Sequence, residues 1–347
     1  MKSECTRDDE ALRIELATCF PFPFDLQAAS PFMLFWGTMD SEIVSRWIES
    51  TCDGLEYENY STAVLENEKK RPAAKNNDPT RSIQCTIEDT DCIQNTYNQM
   101  KKDKTETTVF IHGHHRNNKT LIYQDIILAY CSQNNSVIAI LDWSYLINRD
   151  LILLSTQIEQ IAQITASTFN SLNDKGYEIA KWHLIGHSMG VHIAACIGTY
   201  SLDPAAVIFY NGFYKGCEMN PTVAHFTDAF YTNRGALSTE QNVGNLNIYA
   251  NSGTAPQPGC YSNTSSLMDI HDCSHVKAIQ WYANAVRNET KYLATKCEDC
   301  MLFLRYQYCQ ENDQIYFGPH VDKKKCMNLI NLLLKDNLII NCLNLIG

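Results

Sequence analysis

The residues with the clearest chemistry form the pentapeptide Gly186-His187-Ser188-Met189-Gly190. It directly follows the apolar run Trp182-His183-Leu184-Ile185 and precedes the helix-forming run Val191 to Ile197. A serine between two glycines at a strand-to-helix turn is a nucleophile elbow. Larger side chains at the flanking glycines would collide with nearby backbone, and the strained turn lifts the hydroxyl clear of the sheet. Ser188 is then the nucleophile of an acyl transfer, with the Met189 N–H facing the developing oxyanion. The competing reading is an idle serine in a glycine-bounded turn, and the flanking strand and helix weigh against it.

Such an elbow needs elements to hold it. Thr107 to Ile111 is a short β-branched run ending at His112-Gly113, which reads as a strand entering a turn. Ser136 to Leu141 is a second buried strand, ending at Asp142-Trp143. Leu121 to Tyr130 has helical spacing, and Leu151 to Leu172 is a long amphipathic helix with Leu154, Ile158, Ile161 and Phe169 on one side. Strands alternating with helices predict a mostly parallel central sheet flanked by helices, with functional residues at the strands' carboxyl ends. Residues 1–104 show few clear periods, and Glu66 to Arg81 reads as an exposed polar loop.

Composition narrows the class. A chain of 347 residues, 45% hydrophobic and 19% charged, can bury a large core and is not disordered. A formal charge of −11 excludes a nucleic-acid partner, because no broad basic surface exists to neutralise phosphates. Fifteen cysteines point to disulfides in an oxidising, extracellular compartment, with one thiol left over. Cys297-Glu298-Asp299-Cys300 has no second nearby ligand pair, so no metal site is expected. Sequons at Asn59, Asn118, Asn134, Asn263 and Asn288 are glycosylation candidates. Met1 to Glu15 is charged and gives no readable secretory leader, and no transmembrane segment is expected.

An ordered set of further segments accompanies the elbow. It comprises Val109 to Gly113, Leu141-Asp142-Trp143-Ser144, Leu202-Asp203-Pro204-Ala205, Asp228 to Asn233, Gln257-Pro258-Gly259-Cys260 and Cys273-Ser274-His275. With Gly186 to Gly190, this set resembles the animal pancreatic-lipase family of neutral lipases and sn-1-specific phospholipases, especially its insect members, over residues 105–320. The resemblance implies an α/β-hydrolase fold and hydrolysis of lipid esters at a membrane, lipoprotein or emulsion surface, with no cofactor. It implies Ser188 as nucleophile, His275 as general base and then acid, and Asp203 as the group orienting the imidazole. The oxyanion N–H groups would be those of His114 and Met189. His114 is a departure, since the family usually has a large apolar residue there. Read without the resemblance, Asp203-Pro204 is a turn initiator, His275 is a surface histidine beside a cysteine, and His271 is a rival base.

The resemblance also implies a lid closed by a Cys260–Cys273 disulfide, with Leu267, Met268 and Ile270 as its apolar face, and a second bridge between Cys297 and Cys309. Only twelve residues separate Cys260 from Cys273, and short lids in the family go with phospholipases.

Two features break the pattern. Fourteen residues separate Ser188 from Asp203. A helix over 189–198 would climb about 15 Å. Residues 199–202, fully extended, return only about 13 Å. No residue is left for a turn unless the helix is short or the strand largely missing, so the spacing argues against an assembled triad. Residues 321–347 are the second break: Lys323-Lys324-Lys325 leads into Leu-rich runs that read as an amphipathic surface helix or an aberrant terminus. The leading expectation is a serine lipid esterase. A catalytically impaired lipid-binding, storage or interaction protein comes second, and a peptidase with the same triad third.

Overall fold

The computed structural model describes residues 46–51, 81–100, 106–114, 119–133, 136–143, 146, 151–197, 200–204, 218–261, 266–297, 305–306, 313–322 and 339–343. Apolar runs become strands β3 (Glu106–Ile111), β4 (Ser136–Asp142) and β5 (His183–Ser188). These strands are buried almost end to end instead of at alternate positions, as strands covered on both faces must be. The remaining described strands are β1 (Arg46–Thr51), β2 (Arg81–Thr86), β6 (Tyr200–Pro204), β7 (Asp228–Tyr231), β8 (Leu246–Ala250), β9 (Leu293–Lys296), β10 (Gln314–Tyr316) and β11 (Ile339–Leu343).

They form one sheet in the order β10-β9-β11-β8-β7-β6-β5-β3-β4-β1-β2. The contiguous block from β11 to β4 is parallel throughout. Antiparallel strands finish both edges. This is an α/β-hydrolase fold, as the sequence predicts.

Successive side chains of a strand point to opposite faces, so each central strand feeds two cores. Phe110, Ile138 and Ile140 join Phe230, Trp281, Tyr282 and Phe317 beneath helices α2 (Lys119–Cys131) and α5 (Leu267–Arg287). Val109, Ile111, Ala139 and Leu141 join Leu154, Ile158, Ile161 and Ile193 on the opposite face. That face is covered by α1 (Thr90–Met100), α3 (Leu151–Asp174) and α4 (Gly190–Ile197). A Tyr130–Tyr282 hydroxyl pair at 3.1 Å and the Arg287–Asp125 ion pair tie α2 to α5.

α5 starts at a capping box: the Ser266 hydroxyl accepts the Asp269 N–H, and the Asp269 carboxylate accepts the Ser266 N–H. The Ser266 hydroxyl also donates to that carboxylate, and these bonds hold it below the usual carboxylate range.

The short segment after Ser188 is resolved by the backbone. α4 has only eight residues, and β6 enters the sheet at Tyr200, opposite Ile185. The helix therefore descends about 12 Å. Three strand positions from Ser188 to Ile185 amount to about 10 Å. The two distances match, so the spacing admits the return to the sheet. The expectation that no turn could fit is corrected: it assumed a longer helix than the one that forms.

The tail also departs from expectation, because 339–343 is a strand lying between β8 and β9 and not a surface helix. No helix of the described residues is long and apolar enough to cross a membrane.

Disulfides join Cys85 to Cys92 and Cys260 to Cys273. Cys131, Cys196 and Cys297 are also disulfide-bonded, while Cys309 lies outside the described residues. Of the five sequons, Asn288 alone is described, exposed at the end of α5 with its side chain accepting from the Thr290 N–H.

Phe230 in β7 stacks on Phe317 at 4.1 Å and meets Trp281 edge-on, so it anchors α5 to the sheet. Phe230→Ala should destabilise the protein by about 3–5 kcal/mol, read from the urea midpoint at unchanged slope.

Candidate active site

Ser188 ends β5 with φ of 55°, a left-handed conformation costly for a serine. The cause is close backbone approach on three sides. A Cβ on Gly186 would lie 2.5 Å from Val191 Cα and 2.6 Å from the Gly190 carbonyl. A Cβ on Gly190 would strike the carbonyls of Ile111 and His112 at the end of β3. A Cβ on Gly113 would lie 2.5 Å from Ser188 Cβ and 2.9 Å from the His187 carbonyl. The loop after β3 therefore rests directly on the serine, with the N-terminus of α4 behind it. Met189 precedes the first residue of α4, where free N–H groups and the helix dipole favour an anion.

His275 lies two turns into α5 and is 5% exposed, beside Ser188 at 7%. The reading of His275 as a surface histidine is thereby corrected. Its ring packs on that of His187 with centroids 4.6 Å apart, tilted by 43°. His187 Nε2 lies 3.2 Å from the His275 carbonyl oxygen. A carbonyl only accepts, so that nitrogen carries the hydrogen and donates. The residue preceding the serine thus grips the backbone of the histidine from the other end of the chain.

Behind it, the Ser274 hydroxyl accepts the Gln257 N–H at 3.0 Å and donates to the Ile270 carbonyl. The buried Gln257 amide donates to the carbonyls of Thr232 and Ala250, where β7 and β8 end. His187, Ser274 and Gln257 all lie in segments that carry the resemblance, but the sequence gives them no role because their partners come from other segments of the chain.

Asp203 is the fourth residue of β6. His187 pairs with Leu202 and Ser188 with Pro204, so Asp203 falls at the register shift beside the elbow, on the carboxyl edge of the sheet. Asp228 begins β7 opposite Leu246, on the other edge. His271, the rival base, is committed elsewhere: its Nδ1 lies 2.9 Å from Asn233 Oδ1, and Asn233 Nδ2 donates to its carbonyl.

The disulfide-closed segment after Cys260 is helical from Leu267 onward. Leu267 and Met268 are 72% and 61% exposed, with Tyr261 at 67%, while Ile270 is partly covered. Lys277 is half-buried beside Gly259, and desolvation pushes its ammonium below the usual lysine range. His114 is partly covered at the end of the loop after β3.

The family model described as Lipase matches residues 58–334. Mouse "Pancreatic triacylglycerol lipase" is 31% identical over 157 residues, 38% of this chain and 33% of its own length. Zebrafish "Lipase member H" is 25% identical over 203 residues, 55% and 44% of the two chains. Mouse "Inactive pancreatic lipase-related protein 1" is 28% identical over 170 residues, 42% and 34%. The matched part is less than half of each relative's length. An elbow serine strained by three glycines, at the carboxyl edge of a parallel sheet, thus sits inside a lipase match covering most of the sequence, and the chain belongs to the pancreatic-lipase family.

Proposed function

We propose that this chain hydrolyses carboxylic esters of lipids through an acyl-Ser188 intermediate. The observation that carries the reading is the meeting of three segments: Ser188 at its strained φ, Gly113 against it, and His275 packed on the adjoining His187. In the first step His275 takes the Ser188 proton as the Oγ–C bond forms. The N–H groups of His114 and Met189 receive the oxyanion. Collapse expels the alcohol, which takes the proton from His275, and water repeats the cycle to release the fatty acid. Asp203 holds the imidazole in the correct tautomer and stabilises its cation.

The exposed Tyr261, Leu267 and Met268 form an apolar rim suited to a lipid surface. The twelve-residue lid favours a phospholipid substrate, whereas the mouse relative's name speaks for a triacylglycerol. Disulfides favour an extracellular setting.

A catalytically impaired lipid-binding relative is the second reading, and one matched protein carries the word inactive in its name. The short Ser188–Asp203 segment supported that reading, and an eight-residue helix accommodates it.

A fluorophosphonate probe should label the wild type and not Ser188→Ala; an unlabelled wild type would overturn the enzyme reading. Asp203→Asn should lower kcat by roughly four orders of magnitude, and His275→Ala by roughly six, the losses that these changes produce in serine proteases. Gly113→Ala should abolish labelling in a protein that still unfolds cooperatively, since its methyl group would lie 2.5 Å from Ser188 Cβ and force the serine or the loop aside. Full labelling of that variant would show that the loop does not rest on Ser188 in solution.

A further inference from the structure

Among the described residues, the turn after β3 carries His112 and His114, and only the backbone of the second enters the reaction described above. The first, His112, is 2% exposed and bonded on every side. Its Nδ1 lies 2.9 Å from the Gly113 carbonyl oxygen. Its Nε2 lies 3.1 Å from Asp142 Oδ1 and 3.2 Å from the Trp143 backbone nitrogen. The ring stacks on the Trp143 indole at 5.0 Å with planes 2° apart, and the indole N–H donates to the His112 carbonyl at 2.9 Å.

The partners dictate the proton positions. A carbonyl oxygen only accepts, so Nδ1 carries a hydrogen. At Nε2 the two neighbours ask for opposite things, because the Trp143 N–H needs a lone pair and Asp142 favours a hydrogen. A neutral ring protonated at Nδ1 serves the first and an imidazolium serves the second. Both keep the Nδ1–H bond to Gly113. The tautomer protonated only at Nε2 would set two lone pairs against each other at 2.9 Å.

Gly113 and His114 share one trans peptide unit; the cis bond among the described residues is at Ala255-Pro256. In a trans unit the C=O and N–H point in opposite directions. Holding the Gly113 carbonyl on His112 therefore turns the His114 N–H away from His112. Gly113 packs against Ser188, so this peptide unit lies beside the serine with its N–H on the side opposite His112. We propose that His112 is a positioning residue that aims the His114 N–H at the oxyanion by holding the Gly113 carbonyl through its Nδ1–H. The inference rests on the esterase reading and deepens it. It also accounts for the departure at position 114: the donor is aimed from residue 112, so the side chain at 114 is free to differ.

Two substitutions separate the aiming role from simple packing. In His112→Asn the side-chain amide falls near the Nδ1 position and can still donate to Gly113. In His112→Gln it falls near Nε2 and cannot. A short-chain p-nitrophenyl ester and its thionoester analogue read the oxyanion donors directly, since thiocarbonyl sulfur is the weaker acceptor. His112→Gln should lower kcat on the oxygen ester about 10²-fold, near the effect of losing one oxyanion donor, with KM nearly unchanged. Its loss on the thionoester should be clearly smaller, and His112→Asn should recover at least part of the oxygen-ester rate. Equal losses in both variants with an unchanged oxygen-to-sulfur ratio would overturn the proposal and leave His112 a packing residue. Imidazole 15N shifts supply an arm independent of turnover: they should show His112 protonated at Nδ1, and a lone pair there overturns the clamp even in an active enzyme. Absent Ser188-dependent turnover in the wild type sinks the esterase reading itself, and the nitrogen shifts then decide the clamp alone.

Discussion

The site depends on backbone segments that approach more closely than a methyl group allows. Gly113, Gly186 and Gly190 each face another main-chain segment or the nucleophile at a distance no Cβ tolerates. Each glycine in ordered structure costs roughly 0.5–1 kcal/mol relative to alanine. The left-handed serine costs about 1–3 kcal/mol more. These costs persist only where the surroundings are rigid enough to impose them. Here β5 lies between β3 and β6, deep in the parallel block, with both faces of the sheet covered. The fold holds the strain because the elbow is at its stiffest point.

Much of this was legible because the relevant patterns are local. The runs that become β3, β4 and β5 are continuously apolar, and the long period in α3 is unmistakable, so each was placed to within a few residues. The glycines at 186 and 190 could be read as steric necessities before any coordinates. The spacing after Ser188 excludes a turn only for a ten-residue helix matched by a strand of equal reach, and the helix has eight residues. Sequence does not record where a strand enters its register. β6 meets β5 only from Ile185 onward, and that offset makes eleven connecting residues sufficient.

The unread parts are of a different kind. His187 has no local signal between glycine and serine, since its partner is 88 residues away and is met only once α5 is docked. β11 was obscured because its polar Asn341 interrupts an apolar run, and a parallel strand recruited from the end of the chain leaves no local turn signal. The start of α5 is a case where the signal existed. Ser266 and Asp269 have the spacing of a capping box, which marks a helix start inside the disulfide-closed segment.

That helix links the exposed apolar rim to the elbow. Leu267 and Met268 stand in the first turn of α5, and His275 lies two turns further along the same element. Motion of an exposed first turn would ordinarily carry into the residues that follow. Between them, however, the Cys260–Cys273 bridge, the Ser274 link to Gln257 and the His187 grip on the His275 carbonyl all attach the helix to the sheet. Gln257 is itself bonded to the ends of β7 and β8, so these attachments lead to the most buried part of the fold. The apolar turn projects ahead of the anchors, and the His275 ring lies at their far end. One helix can thus carry an exposed apolar turn, the surface proposed to meet lipid, while keeping its imidazole fixed against the elbow.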